Sequence, residues 1–252
     1  MTFDQLQHKV QNAKELDFGA TLESVIDLYK KVWLKGFLTI LMIILLVIGV
    51  SLIFTFIGIS PENFVFNEGL DFEKFVTQFS SNTVYSIPQT ILISTITIGL
   101  LAGFYRMCRQ VDSGKKEDED YFYFLKKEYF TKVFTLGMIY AAIAIVAQLL
   151  CFIPYIYVYV PLAYVSIIFA NNPNLSEMEI IKASFSLGNK KWFFSFGSMF
   201  VAGIMGMIGV IACGVGLFFT MSIAYLPAFI IYKEVVGFNE IIQSERIESN
   251  ED

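Results

Sequence analysis

VFTLGMIYAAIAIVAQLLCFIPYIYVYVPLAYVSIIFANNPNLS, residues 133–176, runs for 44 positions without a charged side chain. As one helix rising about 1.5 Å per residue it would extend roughly 66 Å, twice the ~30 Å hydrocarbon thickness of a bilayer. The stretch must therefore fold back on itself. Pro154 stands near its middle, where a missing N–H and a ring clash interrupt a helix, so the run divides into spans over 133–153 and 155–170. Both ends of that hairpin lie on one side of a membrane.

Composition extends the reading to the whole chain. Of 252 residues, 56% are apolar and only 16% charged, against roughly 45–50% and 25% in soluble domains. Mean hydropathy is +0.61. The sequence specifies an all-α membrane protein, with six transmembrane helices as three hairpins, each preceded by a cytoplasmic-side amphipathic surface helix. The net charge of −5 belongs to the loops. No basic stripe suited to phosphates appears, which excludes nucleic acid as an expected partner.

The spans are expected at about 36–60, 86–105, 133–153, 155–170, 192–212 and 216–232, in a single domain over 1–252. Surface helices are expected over 21–34, 120–132 and 176–190, with an extracytoplasmic segment over 61–85 and a short tail over 233–252. The first surface helix sets Leu22, Val25, Ile26, Tyr29 and Val32 on one face against Glu23, Asp27 and Lys30 on the other. Ser176 and Glu179 form the Ser-x-x-Glu pattern that opens a helix. Lys30, Lys31 and Trp33, and again Lys190, Lys191 and Trp192, place cations and an indole where a chain enters the headgroup layer. The segment 61–85 carries aromatics that fit either an interface-resting helix or a partner contact.

Charge counting orients the chain. Seventeen of the 18 Lys and Arg fall before residue 36, within 106–132, within 171–191 or after residue 232, and the other side holds only Lys74. By the positive-inside rule both termini are expected in the cytoplasm.

Leu28-Tyr29-Lys30-Lys31, the turn Phe152-Ile153-Pro154-Tyr155-Ile156-Tyr157, the helix Ile181-Lys182-Ala183-Ser184-Phe185-Ser186-Leu187-Gly188-Asn189 and Pro227 carry a family likeness. Over about 17–232 the chain resembles the membrane domain attached to some glycerophosphodiester phosphodiesterases, together with stand-alone six-span bacterial inner-membrane proteins of uncharacterised function. Members of that family usually have glycine after the hairpin proline, where this sequence has Tyr155. The resemblance implies six spans and the bacterial cytoplasmic membrane. The resemblance covers the membrane domain and not the phosphodiesterase domain, so no catalytic residue is expected to carry over.

Chemistry is sparse along the chain. His8 is the only histidine, and Cys108, Cys151 and Cys213 are scattered, which leaves no expected catalytic residue, metal site or cofactor. The expected spans contain no Asp, Glu, Lys or Arg, which argues against proton or ion-coupled carriage. The second span is the most polar; Gln89, Thr90, Ser94, Thr95 and Thr97, with Gln148 of the third, form a candidate polar path. Pro154, Gly214 and Gly216 are assigned to turns, Pro227 to the last span, and Gly99, Gly103 and Gly206 to close helix contacts. The reading that follows is a non-catalytic membrane protein acting on lipids or on another membrane or envelope protein. Its alternative is a transporter, scramblase or channel for a lipid or uncharged solute.

Overall fold

The computed structural model describes residues 1–59, 82–114, 119–150, 153–211 and 215–238. Among them every regular element is helical. Six helical stretches are long and apolar enough to cross a membrane: Phe18–Phe56, Ile87–Asp112, Lys127–Leu149, Pro154–Asn171, Trp192–Val210 and Gly216–Val235. The chain is a multi-pass membrane protein. Most of the segment 61–85, Gly214 and most of the tail 233–252 lie outside the described residues.

Helix α1 (Phe3–Gln11) opens on a Thr2/Gln5 capping box and buries Leu6 and Val10. Helix α2 (Phe18–Phe56) is capped by Asp17, whose Oδ1 accepts from the Ala20 N–H at 2.7 Å. Its 39 residues would extend about 58 Å, so the expected surface helix over 21–34 and the first span form one rod. No proline lies between them, and Gly36 at their junction stays within the continuous helix. Its buried side is a single stripe, Thr21, Val25, Leu28, Val32, Gly36, Thr39 and Ile40, at spacings of three and four. Beyond Ile40, Leu45, Ile48, Leu52 and Phe56 are exposed, a face with lipid as its solvent. Gly58 ends the rod with φ +78°; its N–H meets Thr55 O, and the Ile59 N–H meets Phe54 O, which closes a Schellman motif.

Helix α3 (Ile87–Asp112), expected as the most polar span, is the central one. It packs against α2, against α4 (Lys127–Leu149) and against the short 3₁₀ turn Tyr123–Leu125, and is buried almost without interruption from Ile98 to Cys108. Small and hydroxylated residues let neighbours approach; a Cβ on Gly137 of α4 would stand 2.9 Å from Thr95 Cα. Gly99 and Gly103 admit the Tyr121–Leu125 segment rather than another span, since a Cβ on Gly103 would lie 2.6 Å from the Tyr121 carbonyl oxygen. The surface helix expected over 120–132 is therefore divided between this turn and the start of α4.

The fourth and sixth spans are both broken. Helix α5 (Ile153–Ala163) begins with Pro154 at its second residue and carries Pro161 inside it; the chain tightens at Tyr164 and continues as α6 (Val165–Asn171). Helix α7 (Glu177–Lys190) starts at the expected Ser176/Glu179 capping box. It buries Ile180, Ile181, Ala183, Ser184, Leu187 and Gly188 against protein, with Gly188 tight on Pro161. Met178 in its first turn is 53% exposed. After α8 (Trp192–Met207) and a 3₁₀ turn over Ile208–Ile211, the sixth span is assembled from α9 (Val215–Thr220), a 3₁₀ segment Met221–Tyr225 and α10 (Leu226–Val235), with Pro227 in α10's first turn. The core sits where α3, α6 and α10 meet, around Phe104, Tyr105, Phe169, Phe229 and Tyr232.

Candidate functional site

A cavity of about 460 Å³ lies inside the bundle, bounded by α3, α4, both broken spans and α8. Sites for small molecules occupy roughly 300–1,000 Å³, so the volume is that of a ligand pocket rather than a packing defect. Ile98, Leu101, Leu162, Met199 and Ala228 supply buried apolar wall. Deep in it Tyr105, Ser94 and Ser166 are buried, while Tyr159, Met207 and Met221 are exposed and mark the mouth.

The broken spans shape this space. Pro161 has no N–H to give the carbonyl four residues before it, that of Tyr157, and the Trp192 indole supplies the missing donor at 2.9 Å. In the sixth span the Tyr105 hydroxyl donates to Tyr225 O at 3.0 Å, where the 3₁₀ segment passes into α10, and the Tyr29 hydroxyl donates to Phe219 O at 3.1 Å. Thr220 Oγ1 donates to the carbonyls of Gly206 and Gly216, clamping α9 to α8. Side-chain donors thus cover backbone that a straight helix would satisfy internally, and the irregular segments line a cavity, which is where a membrane tolerates them. Tyr159, Leu162, Ala163 and Ser166 face it from the fourth span; Met221, Ala224, Tyr225 and Ala228 face it from the sixth.

The polar residues singled out in the sequence separate. Ser94 and Thr97 line the cavity. Thr95 faces Gly137 and donates to Ile91 O at 2.8 Å; Thr90 donates to Ser86 O at 2.9 Å. Gln89 donates to Ser51 Oγ of α2 at 2.9 Å, and Gln148, half-buried, is not among the lining residues. Gly206 lines the cavity and lies against the Thr220 carbonyl. Pro227 is buried in α10, and Gly216 abuts Gly209 across the α8–α9 turn.

Four of the six expected headgroup anchors make protein contacts. Lys30 pairs with Asp27 at 2.9 Å, and Lys191 Nζ donates to Lys14 O at 2.6 Å. Trp33 is 43% exposed beside Phe219; Trp192 stacks on Phe196 with centroids 5.1 Å apart. Lys31 and Lys190 are exposed.

Tyr105, Tyr140, Tyr159, Tyr225 and Ser166 complete the polar lining and were not part of the expected polar path. Prolines 161 and 227 were the available signal, because interrupted spans point to a central site. The lining offers hydroxyls and apolar wall, with no acid, base, imidazole or thiol among the described residues. It can form hydrogen bonds to a neutral molecule and exclude water; it supplies no nucleophile–base pair.

Fold and cavity define a multi-pass membrane protein with an uncharged internal pocket. No family model, no curated protein and no solved structure matches the chain.

Proposed function

We propose that this chain is a non-catalytic membrane protein that acts by holding a lipid-class molecule in the cavity between its spans. The observation that carries the reading is the pocket's makeup: apolar wall, hydroxyl groups and no charge, enclosed by helices whose outer faces are apolar. Such a space favours a molecule already dissolved in the bilayer. The reading includes three hairpins with both termini in the cytoplasm, supported by the one-sided distribution of Lys and Arg. The family resemblance stated above favours the bacterial cytoplasmic membrane.

Gly203 gives a direct test. It lines the cavity, and a Cβ there would meet nothing within 4 Å, so Gly203→Leu fills the space without disturbing a neighbour at that position. Native mass spectrometry of gently extracted protein should find a retained small molecule in the wild type and lose it in Gly203→Leu. Equal retention by both would overturn the reading.

A transport reading has its own support in the two interrupted spans that share the cavity, the arrangement that places substrate sites in many carriers. Movement of a lipid or neutral solute across vesicles, abolished by Gly203→Leu, would select it over static binding.

A further inference from the structure

Many hydroxyls of the spans are satisfied by protein, either across spans, as at Tyr29, Tyr105 and Thr220, or within their own helix. Those of Thr39, Thr90, Thr95, Thr135 and Ser198 each donate to the carbonyl four residues earlier, at 2.7–3.0 Å. Such back-bonding is how a helix satisfies serine and threonine in hydrocarbon. Ser94, Thr97, Ser166, Tyr140, Tyr159 and Tyr225 instead have hydroxyls with no protein partner among the described residues, and all six line the one cavity. Ser94 and Ser166 are 7% and 5% exposed. The buried hydroxyls of Tyr121, Ser184 and Ser222 are also unpaired, but none of the three residues lines the cavity.

Polar groups in an apolar medium are costly when unpaired, and six around one space mark a surface shaped for hydrogen bonds from something within it. Each hydroxyl both donates and accepts. A charged head would surrender its hydration there without a counter-ion, because the lining holds no charged side chain.

We propose that the cavity selects an uncharged amphiphile whose polar end carries hydroxyl or carbonyl groups, as in a monoacylglycerol, with that end seated by Ser94 and Ser166 and its chain directed past Met207 and Met221. This rests on the reading of the cavity as a lipid site. The tyrosine rings could alternatively attract a quaternary ammonium head, so a choline ester belongs among the probes.

Three probes with one acyl chain separate the possibilities. The full chain in phosphatidylcholine nanodiscs is offered equal amounts of monooleoylglycerol, oleate and oleoylcholine, and the bound species are read by native mass spectrometry. Monooleoylglycerol should be retained about tenfold over the other two. Ser94→Ala with Ser166→Ala should weaken it by about tenfold, since two hydrogen bonds are lost and no protein contact is. Tyr225→Phe, which keeps the ring and removes one unpartnered hydroxyl, should weaken it a few fold. Preference for oleate or oleoylcholine, or affinity unchanged in all the hydroxyl variants, would overturn the assignment of class and leave cavity binding standing. Wild type that retains none of the three, or that retains them no better than Gly203→Leu, would overturn both.

Discussion

The indole N–H of Trp192, the first residue of α8, donates to the carbonyl of Tyr157 in α5 at 2.9 Å, and Tyr157 is the residue whose helical partner Pro161 removes. A break in one span is thereby repaired by a side chain from another, and the fourth and fifth spans are fixed to each other. Trp192→Phe should keep the stacking on Phe196 and lose only the donor, at a cost of about 1 kcal/mol. Pro161→Ala returns a backbone N–H to Tyr157, so the cost of Trp192→Phe should shrink in that background. Denaturation of the four species in mixed micelles measures the coupling; strictly additive costs would show that the two residues are independent.

Glycines of the spans should divide by what surrounds them. At Gly137 a Cβ would stand 2.9 Å from both Cα and N of Thr95, backbone that cannot move aside cheaply. Gly137→Ala should destabilise by about 1–3 kcal/mol. Gly49 and Gly203 have nothing within 4 Å of a Cβ, so alanine there should gain about 0.5–1 kcal/mol from helix propensity. Thermal unfolding in one detergent would rank the three, and a reversed order would refute the packing of α3 on α4.

The start of α7 should respond to pH. Ser176 Oγ and N–H both donate to Glu179 Oε2 at 2.8 Å, and these bonds hold the Glu179 carboxyl below its ordinary range. A carboxyl depressed on folding contributes stability that is fully present above its unfolded pKa and is lost as pH falls through its folded one. Amide exchange at the first turn of α7 should therefore accelerate under acid below the ordinary glutamate range. Glu179→Gln keeps the capping partner and should flatten that dependence.

Lys9 should matter more than its surface lysine neighbours. Its Nζ donates to Val236 O at 2.7 Å, joining α1 to the carbonyl end of α10, where a cation is favourable. Lys9→Met should cost about 1 kcal/mol and speed amide exchange in α10. Lys233→Met removes the partly exposed pair with Asp112 and should cost less, within the ~0.2–1 kcal/mol of such bridges.

The spans were legible because length and absence of charge are one-dimensional properties: the expected 155–170 and 216–232 meet observed stretches of Pro154–Asn171 and Gly216–Val235. The capping box at Ser176 was legible for the same reason, since its chemistry closes within three residues. The polar path was read from the residue types of the second span and Gln148 of the third, and the rotation of each helix was not available from the sequence. Thr95 and Thr97 are two residues apart, yet one meets Gly137 and the other the cavity.

By itself the sequence determined that the chain is a helical membrane protein with six stretches long and apolar enough to cross a bilayer, because a bilayer sets the length and polarity of whatever spans it. Only the tertiary structure decided which hydroxyls satisfy their own helix and which converge on a common space. It also decided that Gly103 admits a turn instead of a helix and that Trp192 covers Tyr157. Those are relations between residues far apart in the chain, fixed by how the spans rotate and pack, and no local pattern encodes them.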